Sequence, residues 1–185
     1  MSKLIVGSLG AVAKKNNHSI AAGFMNVRAF VMVDVSGSMS TRDCGDGRQR
    51  FEVAQEQLEK LQNENPSEIA VGCFSNDAQF CPSGVPVFQM GMTDMVKALN
   101  LMRMADACGI RLVLISDGEP NDTTAALELA SKFVSKIDTI YVGSETGAGR
   151  EFLRDLSART GGVSITTETN KLNLLSENIT RLIAA

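Results

Sequence analysis

A chain of 185 residues with 18 Lys and Arg, 21 Asp and Glu and a net charge of -3 is long enough for one domain, whose folding buries about 70% of its unfolded surface. This mild acidity gives no electrostatic reason for a nucleic-acid or anionic-membrane partner. The four cysteines, Cys44, Cys73, Cys81 and Cys108, lack C-x-x-C spacing, which removes the usual zinc and redox signatures and predicts reduced, mostly buried thiols.

The amino-terminal MSKLIVGSLGAVAKK imitates a secretory signal only in outline. Gly7, Ser8 and Gly10 interrupt its apolar run, and cleavage after Ala13 leaves it shorter than the roughly 15-residue minimum. No stretch approaches the roughly 18 apolar residues of a membrane span, so a cytoplasmic location is expected. Residues 1–24 are set apart as an extension acting as a tail, an added strand or a partner-binding arm, and residues 25–185 as the domain.

From there, short β-branched runs alternate with helical patterns, which predicts an α/β domain with a mostly parallel sheet. A strand is predicted over 28–35, followed by a helix with Phe51, Ala54, Leu58 and Leu61 on one face. The strand at 68–74 pairs with a short one at 78–81 across "SND", giving one antiparallel edge. Next come a helix over 93–107, a strand over 111–116 and a helix over 123–136 opened by Asp122. A strand over 138–142 then leads to a helix over 149–160, stopped by Gly161 and Gly162. A strand over 162–166 precedes a last helix over about 171–183, with Leu172, Leu175, Ile179 and Leu182 on one face.

The first strand ends in DVSGSMS, where Asp34, Ser36 and Ser38 recur at every second residue. An extended chain points all three the same way, and Gly37 allows the backbone to turn. Alone, this pattern equally describes a polar turn with a serine helix cap. The strand at 111–116 also ends in an acid and a glycine, Asp117 and Gly118. Ligands of open parallel sheets bind beyond the carboxyl ends of the strands, where strand order reverses. Two such strands side by side bring two carboxylates together, with a repulsion of about 4 kcal/mol at about 4 Å and an effective dielectric near 20. A cation removes that penalty. A third piece, GMTDM, sets Gly91 before Thr93 at a helix entry, where Thr93 alone is an N-cap.

Together these segments resemble the von Willebrand factor type A family, from about Arg28 to the last helix, and ARTGGVSITT is similar to that family's final strand region. The resemblance implies a doubly wound, Rossmann-like α/β fold with helices on both faces and a metal-ion-dependent adhesion site. Asp34, Ser36 and Ser38 match its D-x-S-x-S, Thr93 its threonine after a glycine-containing loop, and Asp117 its aspartate in a T/S-D-G turn. It further implies that Ser36, Ser38 and Thr93 bind the ion directly and that Asp34 and Asp117 hold coordinating waters. One position is then left for an acidic side chain of a partner protein.

All donors in this set are oxygen, so a hard cation is expected: magnesium first, manganese second, and calcium, which takes about 6 to 8 oxygens, third. The function implied is a non-catalytic, metal-dependent protein–protein interaction module. It is similar to stand-alone cytoplasmic bacterial or phage members of the family, which resemble tellurium-resistance (stress-response) operon products or work beside MoxR-type AAA ATPases, kinases and phosphatases. The last helix ends at Ala185, so any readout of engagement is expected through a separate chain.

Several neighbours have two readings. Met39 and Met92 form either an apolar rim or core; Asp43 and Asp46 supply either a second cation site or a solvated loop; Glu119 and Asp122 are accounted for by a turn and a helix cap. A haloacid-dehalogenase type phosphatase or phosphotransferase also starts from a strand ending in Asp and uses magnesium, but it needs a second acid where this chain has Ser36. A serine hydrolase lacks its G-x-S-x-G elbow, and His18, the single histidine, lies in a polar tail. GSETGAGREF fits neither dinucleotide nor phosphate-loop spacing. An exported adhesin of the same family needs a leader and a tether.

Overall fold

A computed structural model of the chain describes residues 4–88, 90–118, 120–143 and 147–184. Among these, six strands form one sheet: β1 (Ala29–Asp34), β2 (Ile69–Phe74), β3 (Ala78–Phe80), β4 (Arg111–Ser116), β5 (Ile137–Val142) and β6 (Ser164–Thr167). Their order is β3-β2-β1-β4-β5-β6, and every pairing is parallel except β2 with β3. The helices are α1 (Leu9–Lys15), α2 (Ile20–Gly23), α3 (Arg50–Glu64), α4 (Met95–Met102), α5 (Thr123–Ala130), α6 (Ala148–Thr160) and α7 (Leu175–Ala184). None of them is long and apolar enough to cross a membrane among the described residues.

The central strands read as continuous apolar runs because both faces of the sheet are covered. On β1, Ala29, Val31 and Val33 face a core shared with α3 and α7, while Phe30 and Met32 face a second core shared with α4, α5 and α6. This is the doubly wound arrangement the sequence predicts. Leu58, Leu99, Leu112 and Leu114 are fully buried, and each such side chain contributes roughly 1.5–3 kcal/mol. Strand order reverses between β1 and β4, whose register runs from Ala29 opposite Arg111 to Val33 opposite Ile115. Asp34 and Ser116 therefore leave the sheet side by side, at the place where open α/β sheets bind ligands.

Three helices differ from their predicted spans. The helix predicted over 93–107 is α-helical only over Met95–Met102 and continues as a 3-10 segment, Arg103–Ala105. The helix after β4 ends at Ala130 rather than near 136, because the Asp106 carboxylate accepts hydrogen bonds from the backbone N–H groups of Val134 (3.2 Å) and Ser135 (2.8 Å). These bonds draw the chain out of helical geometry. The last helix begins with a 3-10 segment, Thr169–Leu174, and becomes α-helical at Leu175. As predicted, Gly161 ends α6 in the left-handed region, at φ 74°.

The segment before β1, left open by the sequence as tail, strand or arm, folds as two short helices capped by Ser8 and Ser19. Ile5 and Leu9 are buried. Ile5 N–H donates to the Ser83 carbonyl (3.0 Å) and Gly10 N–H to that of Pro82 (2.8 Å), while the Gly7 carbonyl accepts from Ser67 N–H (3.0 Å). Glycine is required at position 7, where a Cβ would fall 1.9 Å from the Gln62 carbonyl oxygen. His18 is exposed on this segment.

Candidate metal centre

Past β1 the chain does not stay extended. Val35 N–H is held by the Phe74 carbonyl (2.8 Å), and a 3-10 turn over Gly37–Ser40 follows. Asp34, Ser36 and Ser38 are therefore gathered by a turn, not by strand alternation. Gly37 N–H donates to the Gly91 carbonyl at 3.0 Å, and a Cβ at position 37 would meet Gly91 only at ordinary contact distance, so this turn does not demand glycine there. The left-handed backbone occurs instead at Gly91, at φ 111°, where a Cβ would lie 2.6 Å from the Asn76 amide.

The oxygens meet as follows. Ser36 Oγ and Ser38 Oγ are 3.1 Å apart, and Ser38 Oγ donates to Asp117 Oδ1 at 2.7 Å. A Cβ placed on Gly118 would lie 3.9 Å from both Ser38 Oγ and Thr93 Oγ1, so these two hydroxyls converge over that glycine. Asp34 is fully buried; its Oδ1 accepts from Ser36 N–H (2.8 Å) and its Oδ2 from Ser116 Oγ (2.6 Å). The structure thus brings together all five residues singled out in the sequence. Ser36, Thr93 and Asp117 are buried, and Ser38 is exposed.

Thr93 is not the N-cap of α4. Asp94 is, accepting from Lys97 N–H at 3.1 Å, which leaves the Thr93 hydroxyl free of a capping role. Thr93 is held through its backbone: its N–H donates to Asn121 Oδ1 (3.2 Å), and its carbonyl accepts from Asn121 N–H (3.0 Å). Met92 N–H donates to Asn76 Oδ1 (2.8 Å), fixing the same loop from the other side.

Sequence reasoning missed Arg50, the first residue of α3. Its guanidinium donates to Asp117 Oδ2 (2.7 Å) and, in a fork, to Asp43 Oδ1 (2.9 Å) and Oδ2 (2.6 Å). These bonds hold the Asp43 carboxyl below the usual carboxylate range. Asp46 pairs with Arg48 at 2.7 Å, and Arg48 also pairs with Glu56. Both acids of the Asp43–Asp46 loop are thus engaged by arginines and do not face each other across a second cation site. Met39 is core, whereas Met92 is exposed beside Thr93. Asp122 caps α5 through Ala125 N–H (2.9 Å). Glu119, and Ser144, Glu145 and Thr146 of the GSETGAGREF stretch, lie outside the described residues.

Burial pushes the Asp34 carboxyl up to about 6, with a smaller push from Asp117, against the pull of the bonds from Ser116 and Ser36. A carboxyl whose folded value is raised binds a proton more readily in the folded chain. Its contribution to stability is therefore complete below the unfolded value of 3.8 and lost as pH rises through about 6. In chelator, this group alone makes the chain less stable at pH 7.5 than at pH 5 by about 1 kcal/mol. Denaturant titration at the two pH values measures the difference, and Asp34→Asn should remove it.

The donor set suits a small hard cation. Oxygens that are neighbours on an octahedron of about 2.1 Å radius lie about 3 Å apart, and the Ser36–Ser38 separation of 3.1 Å matches that spacing. No cluster of three or more His, Cys, Asp and Glu side chains occurs among the described residues, so hydroxyls dominate the set. Next to it opens a crevice of about 790 Å³, lined by Arg50, Asp117, Tyr141, Glu168 and Asn170 among others.

The chain matches no family model and no curated protein sequence. Solved structures do share its fold. The ArnB paralog VWA2 from Sulfolobus acidocaldarius superimposes with a TM-score of 0.63 at 21% identity, over 85% of this chain and 44% of that one. A von Willebrand factor type A protein from Catenulispora acidiphila gives 0.63 at 16% identity, over 84% and 41%. The PilB minor pilin from Streptococcus sanguinis gives 0.61 at 13% identity, over 86% and 61%. The alignments thus span only about half of each of these proteins. Sheet order, the antiparallel edge strand and these superpositions agree: the chain has the fold seen in solved von Willebrand factor type A structures.

Proposed function

We propose that this chain is a non-catalytic interaction module that binds an acidic side chain of a partner protein through a divalent cation, magnesium or manganese. The observation that carries the reading is the meeting of Ser38 Oγ with Ser36 Oγ at 3.1 Å and with Asp117 Oδ1 at 2.7 Å, across loops 79 residues apart, where Asp117 lines an open crevice. Ser36, Ser38 and Thr93 would hold the ion directly, with Asp34 and Asp117 acting through water. When bound, the ion supplies Lewis acidity toward a carboxylate.

The rest is done by the chain itself. Neutral hydroxyls around the ion leave its charge uncompensated, which favours an incoming Asp or Glu. Arg50 holds Asp117 on one side, and Asn121 holds Thr93 on the other, so these donors stay in place without the partner. Asp34 supports the non-catalytic reading: a nucleophile must present a free oxygen, and both of its oxygens are buried and engaged by Ser36 and Ser116. Stand-alone cytoplasmic work beside an AAA ATPase, a kinase or phosphatase, or a stress-response system is the setting that suits such a module.

Affinity capture from source lysate tests the reading. The expected result is a partner retained in magnesium and released by chelator, and lost with the Ser36→Ala, Ser38→Ala double variant. Capture that is indifferent to both, or phosphate release from phosphorylated substrates that disappears in Asp34→Ala, overturns it.

A further inference from the structure

We propose that Cys73 and Cys81 form an oxidisable dithiol, a modification site at which hydrogen peroxide or a related hydroperoxide closes a disulfide across the β2–β3 hairpin. Cys73 lies on β2 and Cys81 directly follows β3, and their sulfurs are 3.5 Å apart. The hairpin fixes this approach. Gly72 faces Phe80 and Cys73 faces Gln79 in the ladder, which continues as Cys81 N–H donates to the Val71 carbonyl at 2.8 Å. Both side chains thus enter the α3–α7 core as diagonal neighbours. A disulfide of about 2.05 Å needs the sulfurs to close by roughly 1.5 Å, and because diagonal cross-strand positions are more widely spaced than directly opposite ones, the short edge strand β3 must shift toward β2 as the bond forms.

The surroundings assign the two roles. Cys73 Sγ accepts hydrogen bonds from the Cys81 thiol and from Gln79 Nε2 (3.6 Å), which favour a thiolate there. These bonds draw the Cys73 thiol down to about 6, and the Cys81 thiol is pushed up. Cys73 is therefore the attacking sulfur and Cys81 the resolving one. Cys81, just past the three-residue edge strand β3, keeps 5% exposure beside the fully buried Cys73, whose sulfur also lies 3.9 Å from the Val87 carbonyl, so peroxide enters the pair from the Cys81 side. Cys44 and Cys108 have no second thiol as a hydrogen-bond partner among the described residues.

The chemistry balances with the peroxide as the only co-reactant. The Cys73 thiolate attacks one peroxide oxygen; an S–O bond forms, the O–O bond breaks, and the departing hydroxide takes up a proton to become water. Cys81 sulfur then attacks Cys73 sulfur; the S–S bond forms, the S–O bond breaks, and the second hydroxide leaves as water with the Cys81 proton. Two thiols and one hydrogen peroxide give one disulfide and two waters.

This site is independent of the metal reading. Its strand nevertheless carries the oxygen-bearing loops: the Phe74 carbonyl holds Val35, and the Ser75 carbonyl accepts from Asp94 N–H at 2.8 Å, beside Thr93.

Treating the reduced full chain with a small excess of hydrogen peroxide tests the proposal. Both cysteines fall in the tryptic peptide spanning 61–97, which has no internal Lys or Arg. The expected result is loss of two of the four thiols, with that peptide two hydrogens lighter and refractory to alkylation. Cys108→Ser should leave this loss unchanged, and Cys81→Ser, which keeps a hydroxyl donor beside Cys73, should stop the reaction at a Cys73 sulfenic acid that dimedone labels. Four thiols still titrating after treatment, or a disulfide through Cys44 or Cys108 in place of the internal one, overturns the proposal. The wild-type peptide map decides by itself, so the test stands even where Cys81→Ser fails to fold.

Discussion

Replacing Ser36 and Ser38 together by alanine abolishes the heat of magnesium binding in titration calorimetry and leaves the domain folded. The two hydroxyls are 3.1 Å apart and reach the site from one turn, so the double change removes two of the oxygens that would touch the ion. A loss of about 100-fold or more, roughly 2.8 kcal/mol, is expected, enough to remove a detectable signal. Stability should fall by about 1–3 kcal/mol: Ser36 and Ser38 lose their mutual bond together, but the buried Asp117 Oδ1 loses its Ser38 donor while Oδ2 keeps Arg50. Circular dichroism and a thermal scan check the fold, and undiminished heat in a folded double variant contradicts the assignment.

The second large effect has opposite signs in two measurements. Arg50→Met should destabilise the metal-free chain by about 3 kcal/mol, the low end for breaking a buried pair. The Asp117 side chain has no exposure, and the Arg50 side chain only 15%. The same change should tighten magnesium binding about tenfold, because a fixed positive charge no longer stands against the carboxylate that faces the ion. Saturating magnesium should then restore much of the lost stability, through preferential binding to the folded state. Arg50→Lys keeps a charge but not the fork to Asp43 and should fall between. Chemical denaturation with and without magnesium, beside calorimetry, separates the two effects. Weaker magnesium binding in Arg50→Met would show that the hold of Arg50 on Asp117 outweighs its repulsion of the ion, contrary to this expectation.

What could be read from the sequence divides along physical lines. Strands such as AFVMVD and RLVLIS were legible because a parallel strand covered on both faces must be apolar throughout. Asp34, Ser36, Ser38, Thr93 and Asp117 were legible because each stands at the end of a predicted strand or the start of a predicted helix, in the order of the motif that the sequence resembles; each piece alone also read as a turn or a cap. The turn at Gly37 was legible from the glycine itself, whereas its 3-10 form and the left-handed Gly91 that meets it were not.

Contacts between distant segments also left no local trace. Arg50 meets Asp117 across 67 positions and Asn121 meets Thr93 across 28. Arg50 looks like any basic residue near a helix start. α1 and α2 are too short to show amphipathic periodicity, and their order comes from packing against residues 62–84. Their only sequence marks are the capping serines Ser8 and Ser19.

The central claim is that five side chains from three segments surround one divalent cation. Anomalous diffraction from crystals grown with manganese measures this directly. The account predicts a single strong peak within bonding distance of Ser36 Oγ, Ser38 Oγ and Thr93 Oγ1, with Asp34 and Asp117 reaching it through water. A peak elsewhere, or Arg50 still clamped on Asp117 with no peak between the hydroxyls at saturating manganese, contradicts it.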